Sequence, residues 1–180
     1  KTRYNIRLAQ KHGVRIQTTE TLSEAQKSFD TFWSLLEKTA RHQSIRLHPE
    51  KYYRVMLETL VSAGKAKIFL AEYNGKIIAG QLVTFFEKSA TYLHGGSDQA
   101  FKSVMAPYLL QWQSMRYAQK NGYERYNFGG VSESKKNWQG ITRFKQSFSP
   151  RTHFTTHAGL WDFPVQKLLY LAYKVLNRMR

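Results

Sequence analysis

Three groups of residues have types and spacings suited to chemistry. Tyr92 and His94 stand two apart in a β-rich run, so a regular strand would turn both to one face. The adjacent Gly95-Gly96 pair would let another backbone or a ligand approach closely, although a histidine satisfied in the core or at an edge accounts for His94 equally well. His48 and Tyr52, four apart at the start of a predicted helix, are neighbours where exposed N–H groups favour an anion. Lys135, Lys136, Arg143, Lys145 and Arg151 are interleaved with Trp138 and Phe144. That mixture of cations and stacking rings suits the single-stranded end of an RNA, and an ordinary solvated loop has the same composition.

Other chemistries are excluded. The six histidines show no HExxH or comparable spacing, so no metal set is expected. The absence of cysteine rules out disulfides, thiolate metal sites and cysteine nucleophiles, and is compatible with a reducing compartment.

The elements that must position these residues are legible from periodicity and punctuation. Thr2 to His12 reads as a basic helix stopped by Gly13, and Val14 to Thr18 alternates as a strand. Ser23 with Gln26 has the spacing of a capping box, and Phe29, Phe32, Trp33 and Leu36 continue a helix to about His42. Pro49 opens a second helix, with Tyr53, Met56, Leu57 and Leu60 on one face and Gly64 as its stop. Lys67 to Tyr73 and Lys76 to Phe86 are strands joined through Asn74-Gly75, a strong hairpin signal, and Ala90 to His94 makes a third. Pro107 to Gln119 is predicted helical, Tyr123 to Phe128 a strand ended by Gly129-Gly130, and Val131 to Gly140 a loop. The glycine pair would relax the backbone beside a cleft or simply form a turn. A short helix over Ile141 to Phe148, a strand over Thr152 to Leu160 and a basic amphipathic helix over Pro164 to Arg180 complete the chain.

A 180-residue chain with 42% apolar and 14% aromatic residues can bury one real core, which excludes a disordered basic tail. Its 28 Lys and Arg against 12 Asp and Glu give a net charge of +16, a field that predicts polyanionic partners. No run approaches the roughly 20 apolar residues that span a bilayer, and Lys1 to His12 lacks the apolar core of a signal peptide. The expected location is cytoplasmic. The C-terminal helix, with Lys167, Lys174, Arg178 and Arg180, has the makings of a peripheral contact with the inner face of a membrane, or of packing on another domain.

The order β-α-α-β-β-β-α-β-α-β, with a helix before and after, resembles that of the GNAT acyltransferases: an α+β fold with a central mixed, mostly antiparallel sheet flanked by helices. Residues 1–180 would form a single such domain. In GNAT enzymes the helix after the strand meander opens with a glycine-rich loop whose N–H groups hold coenzyme A pyrophosphate. Here that loop reads SDQAFKSVMAPYLL, without paired glycines and with a proline that removes a donor.

Four motifs in order resemble a more particular family. YLHGGSD (Tyr92 to Asp98), the following PYLLQW, YNFGGV (Tyr126 to Val131) and WQGITRFKQSF (Trp138 to Phe148) are similar to the second GNAT-like domain of FemABX-type aminoacyl transferases. The opening KTRYNIRLAQKHGV is similar to the junction with that family's first domain, so residues 1–13 would be a junction helix following an upstream domain, and 164–180 a C-terminal amphipathic helix.

The resemblance implies transfer of an amino acid from aminoacyl-tRNA to an amine of a peptidoglycan precursor stem peptide, the step that builds cell-wall interpeptide bridges. No cofactor is implied beyond aminoacyl-tRNA as co-substrate, and the upstream GNAT-like domain would share the cleft. Lys145 matches the family lysine at the aminoacyl-tRNA end, where an ammonium would stabilise the tetrahedral oxyanion and the leaving ribose oxygen. Phe144 would stack on the terminal adenine, or serve the core. Tyr92 matches a tyrosine facing the acceptor. His48 stands where the family commonly has an arginine for the precursor's diphosphate, and a histidine cannot form that bidentate fork, which favours a lipid-linked acceptor or one outside this pathway. Two other classes compete: an acyl-CoA-dependent N-acyltransferase and a non-catalytic basic RNA-binding module.

Overall fold

The computed structural model describes residues 1–132, 138–149, 155 and 161–178. The chain divides into two compact units, Lys1–Pro150 and Arg151–Arg180.

The first unit is a five-stranded sheet with helices on both faces. Its elements are α1 (Thr2–Lys11), β1 (Arg15–Thr18), α2 (Leu22–Gln43), α3 (Glu50–Ser62), β2 (Ala66–Tyr73), β3 (Lys76–Phe86), β4 (Ser89–Ser97), a 3-10 segment (Gln99–Val104), α4 (Ala106–Lys120), β5 (Arg125–Asn127) and α5 (Gln139–Gln146). The strands lie in sequence order, antiparallel from β1 to β4. β5 joins parallel to β4, as it must when α4 carries the chain back across the sheet. The mixed, mostly antiparallel sheet expected from the sequence is present.

Strand alternation divides the core in two. Phe69, Ala71, Val83, Phe85 and Ala90 pack beneath α1 and α4, with Leu109, Leu110 and Ala118. Ile68, Leu70 and Leu82 face Phe29, Phe32, Leu36, Tyr53 and Leu57 of α2 and α3. Burial of both faces explains why β2 and β3 read as almost continuous apolar runs rather than alternating ones.

Several boundaries depart from the sequence reading for physical reasons. The capping box of α2 is Thr21 with Glu24, not Ser23 with Gln26: the Glu24 amide donates to Thr21 Oγ1 at 3.2 Å and the Glu20 amide to the Glu24 carboxylate at 2.7 Å. A carboxylate suits the positive end of the helix better than the neutral amide of Gln26. Asn74 (φ +50°) and Gly75 (φ +75°) form the expected tight hairpin. β4 runs longer than Ala90 to His94 because β3 pairs with it throughout, whereas β5 is only three residues long. The expected strand over residues 152–160 lies outside the described residues.

The second unit is described by α6 (Lys167–Arg178), with Leu168, Leu171, Ala172 and Val175 along one stripe and Lys174 Nζ 4.9 Å from the Tyr170 ring centroid. Among the described residues no helix is long and apolar enough to cross a membrane.

Candidate functional site

Where β5 leaves β4, the sheet opens. The two strands pair only from Ser89 to Thr91 against Arg125 to Asn127, and the chain after β5 then turns away. Asn127 Oδ1 accepts from the Gly129 amide at 2.7 Å, and Gly129 takes φ +69°, a conformation costly for a side chain with a Cβ. This turn sets the Gly130 carbonyl beside α5.

α5 is held against the opening by three kinds of contact. Thr142 Oγ1 donates to the Ser132 carbonyl at 2.9 Å and accepts from its amide at 3.2 Å. The Thr2 hydroxyl donates to the Ser147 carbonyl at 2.7 Å. Phe144 and Phe148 pack on Tyr108 with ring centroids 5.0 and 5.7 Å away, and Phe148 also meets Phe128 at 5.3 Å.

On that platform Lys145 Nζ donates to the Gly130 carbonyl at 2.8 Å and lies 5.6 Å from the centroid of the Tyr92 ring. No carboxylate pairs with it in a described salt bridge. Desolvation therefore dominates, and the Lys145 ammonium is pulled down to about 8. Burial likewise pushes the Tyr92 phenol up to about 12.

Between α2, β4, α4 and α5 lies a cleft of about 180 Å³, with Tyr92, Gly95, Gln81, Gln111, Phe144 and Gln43 among its lining residues. Its floor is a buried polar chain. Gln81 Nε2 donates to Ser114 Oγ at 2.6 Å, Ser114 Oγ and Tyr126 Oη share a hydrogen bond of 2.8 Å, and Tyr126 Oη donates to Gln111 Oε1 at 2.9 Å. Burial raises the Tyr126 phenol far above its ordinary value. Gln81 and Ser114 did not emerge from the sequence reading, whereas Gln111 and Tyr126 fall within the PYLLQW and YNFGGV motifs. The available signal was Gln81, a polar residue within the otherwise apolar run IIAGQLVTFF.

The expected shared face of Tyr92 and His94 is overturned. In the β3–β4 ladder Val83 pairs with Tyr92 and Leu82 with His94, so Leu93 is the extra residue of a bulge. Tyr92 consequently faces α4 and Lys145, while His94 faces the other helical layer, 5.0 Å from the Tyr53 ring centroid. There it joins His48 and Tyr52, whose rings lie 4.5 Å apart, with Tyr52 5.3 Å from Tyr53. Burial, reinforced by nearby His48, holds His94 below its ordinary value. Thus the structure gathers Tyr92, Phe144 and Lys145 on one side of β4 and His48, Tyr52 and His94 on the other.

Gly95 and Gly96 have separate reasons. A Cβ at Gly95 would overlap the Tyr92 hydroxyl, whereas one at Gly96 would overlap the α2 backbone at Leu35. Trp138 caps the start of α5 and lies against Gly130, while Arg143 sits within α5 with its side chain exposed. Lys135, Lys136 and Arg151 lie outside the described residues. Among the described residues no group of histidine and acidic side chains has the arrangement to hold a metal.

A sheet splayed beside the start of a crossover helix is the architecture of GNAT-like acyltransferases, and solved structures share it. A crystal structure of FemX superposes with a TM-score of 0.71 over 80% of this chain and 52% of that one, at 17% identity. An aminoglycoside acetyltransferase from an uncultured soil metagenomic sample superposes with a TM-score of 0.63 over 84% of this chain and 97% of that one, at 14% identity. These likenesses show the fold. The FemAB family model matches residues 1–77 and 63–178, and the chain belongs to the FemAB family. It is 31% identical to the aminoacyltransferase FemB of Staphylococcus epidermidis over 119 residues, 62% of this chain and 27% of that protein. It is also 31% identical to the aminoacyltransferase FemA of Staphylococcus aureus (strain MW2) over 93 residues, 49% of this chain and 21% of that protein. The matched segments span about a quarter of the length of these relatives.

Proposed function

We propose that this domain contributes to an aminoacyl transfer in which an amine of a peptidoglycan precursor attacks the ester carbonyl of aminoacyl-tRNA. The observation that carries the reading is the placement of Lys145: an ammonium without a carboxylate partner among the described salt bridges, fixed by the Gly130 carbonyl near Tyr92, whose side chain lines the cleft. Membership of the FemAB family supplies the reaction class.

The bond changes place particular demands on these residues. The acceptor nitrogen bonds to the ester carbon, the carbonyl oxygen becomes an oxyanion, and the bond to the ribose oxygen breaks. That oxygen must gain a proton while the nitrogen loses one. A lysine with pKa about 8 is about nine-tenths protonated at pH 7, so it can stabilise the oxyanion and give its proton to the ribose oxygen. Tyr92 adds a hydroxyl donor on the same side, its phenol pushed by burial up to about 12. His48, Tyr52 and His94, grouped across the sheet, would hold the acceptor, and Trp138 and Arg143 the tRNA end. A cytoplasmic location with peripheral membrane contact through α6 follows from the same reading.

The 3-10 segment opposes the coenzyme A alternative. Asp98 Oδ1 accepts from the Ala100 amide at 3.1 Å, the Met105 amide donates to the Lys102 carbonyl at 3.3 Å, and Pro107 has no N–H. The Ala100 and Met105 amides are thus engaged and Pro107 offers none, which leaves fewer donors for a pyrophosphate at this end of α4.

The experiment is mass spectrometry of soluble and lipid-linked precursors incubated with charged tRNA and the full-length natural protein, beside its Lys145→Ala variant. Gain of an amino-acid residue mass, largely lost in the variant, is expected. No added mass with either precursor, together with retained RNA binding, would transfer the protein to the class of binding modules.

A further inference from the structure

Resting on the aminoacyl-transfer reading, we infer that the solvent side of α1 and α4 is a docking face for the tRNA, on which Trp112, Arg116 and Lys120 carry its strand away from Lys145. Charge separates the two helical layers of the sheet. α1 and α4 hold five cations, Arg3, Arg7, Lys11, Arg116 and Lys120, and no acidic residue, whereas α2 and α3 hold five residues of each sign. The five cations are all exposed, and none enters a described salt bridge. Glu20, just after β1, and Glu124, just after α4, are tied to Lys67 and Lys88. One layer is balanced and the other presents positive charge alone, a field that gathers a polyanion.

The outer residues of α4 form one ridge. Tyr108, Trp112, Arg116 and Lys120 are four apart, so they succeed one another along about 18 Å of helix while winding round it. At the far end Arg116 and Lys120 line a groove of about 610 Å³ beside β1, with Thr18, Gln113 and Gln119. At the near end the Tyr108 ring packs on Phe144 and Phe148. α1 meets the same segment through the Thr2 hydroxyl and the Ser147 carbonyl. Both cationic helices therefore converge on the segment that carries Lys145.

This convergence selects RNA over a bilayer. A strand whose end is held at Phe144 and Lys145 continues past Tyr108 onto Trp112, an indole left 40% exposed, and then reaches Arg116 and Lys120. An open ring followed by cations is the combination that holds a single strand, through its bases and its phosphates in turn. A helix that lies on a membrane needs a stripe of aliphatic side chains instead, and among the described residues of α1 and α4 the exposed large apolar side chains are Tyr4 and Trp112.

The test is binding of charged tRNA to the full-length protein over a range of salt, beside transfer to the precursor and binding to phosphatidylglycerol vesicles. Arg116→Ala and Lys120→Ala should each lower affinity and reduce the slope of log affinity against log salt by about one. Trp112→Ala should lower affinity roughly tenfold with the slope unchanged. Lys27→Ala, in the balanced layer, should alter neither quantity. All four side chains are exposed, so the variants should melt with the wild type. Unchanged tRNA affinity and slope in the α4 variants, with transfer by the wild type, overturns the docking face and leaves aminoacyl transfer standing. Loss of vesicle binding in those variants with tRNA affinity kept also overturns it, in favour of a membrane contact. The expected slopes without transfer by the wild type uphold the face and overturn aminoacyl transfer, and failure of the wild type to bind tRNA or to transfer overturns both.

Discussion

Tyr92 and His94, separated by a single residue of β4, point to opposite faces of the sheet because Leu93 is inserted as a bulge between them. The bulge commits the tyrosine to Lys145 and the histidine to Tyr53 and His48. A regular strand would have put both into one layer, and the face left behind would have lost either its hydroxyl or its imidazole.

The His94 environment predicts a pH effect on stability. With its folded pKa below the unfolded value of about 6.5, the unfolded chain binds more protons as pH falls through that value. Stability should therefore decrease as pH falls below about 6.5. Melting temperatures of the wild type and His94→Gln across this range should converge as pH falls, since the variant has no imidazole to protonate; parallel curves would contradict the argument.

Lys145 carries a second pH dependence, in rate. Lys145→Ala should lower kcat by about 10²–10³, as loss of one oxyanion donor does elsewhere, while RNA affinity changes little. In the wild type the rate should fall above pH 8 as the ammonium loses its proton. Lys145→Arg keeps its charge at all accessible pH and should abolish that limb whatever activity it retains. For stability the sign is opposite: the folded protein binds fewer protons than the unfolded chain between about pH 8 and 10.4, so stability rises with pH across that window. Lys145→Met should accordingly melt a few degrees higher than the wild type at pH 7, which would mark the lysine as held for chemistry at a cost to the fold.

Much of this arrangement was legible in the sequence. The stripes of α2 and α3, the Asn74-Gly75 turn and the α4 crossover are local signals, and local signals survive into the fold because periodicity and turn chemistry act within a few residues. The bulge at Leu93 was not legible, since it arises from pairing between β3 and β4 rather than from any residue's propensity. Lys145 could be named from its motif, but its lowered pKa depends on Gly130, Tyr92 and the burial they create. Gln81 and Ser114 stayed invisible because a polar side chain has no signature until its partners are known.

The two adjacent glycines should respond differently to alanine. At Gly95 the overlapping atom is the far end of the Tyr92 side chain, which can swing away, so Gly95→Ala should fold and lose activity through displacement of Tyr92. At Gly96 the obstacle is helix backbone, which cannot yield without moving α2. Gly96→Ala should cost about 2 kcal/mol or more, lowering the melting temperature by at least about 5 °C. Calorimetry and turnover measured on both variants separate these outcomes, and equal destabilisation would refute the distinction.

Arg143 tests whether α5 meets RNA. Its side chain is exposed and, among the described residues, its Nε reaches the Gln139 carbonyl at 3.3 Å, so Arg143→Ala should leave folding intact. If the guanidinium contacts a phosphate, the plot of log affinity for tRNA against log salt should lose about one unit of slope, because one fewer counterion is released on binding. If the slope is unchanged while affinity falls, the contribution is one of stacking or hydrogen bonding to a base, and Trp138 becomes the partner to test by the same plot. If neither quantity changes, α5 does not meet RNA through this residue, and of the candidates named from sequence Lys135, Lys136 and Arg151 remain for phosphate contact.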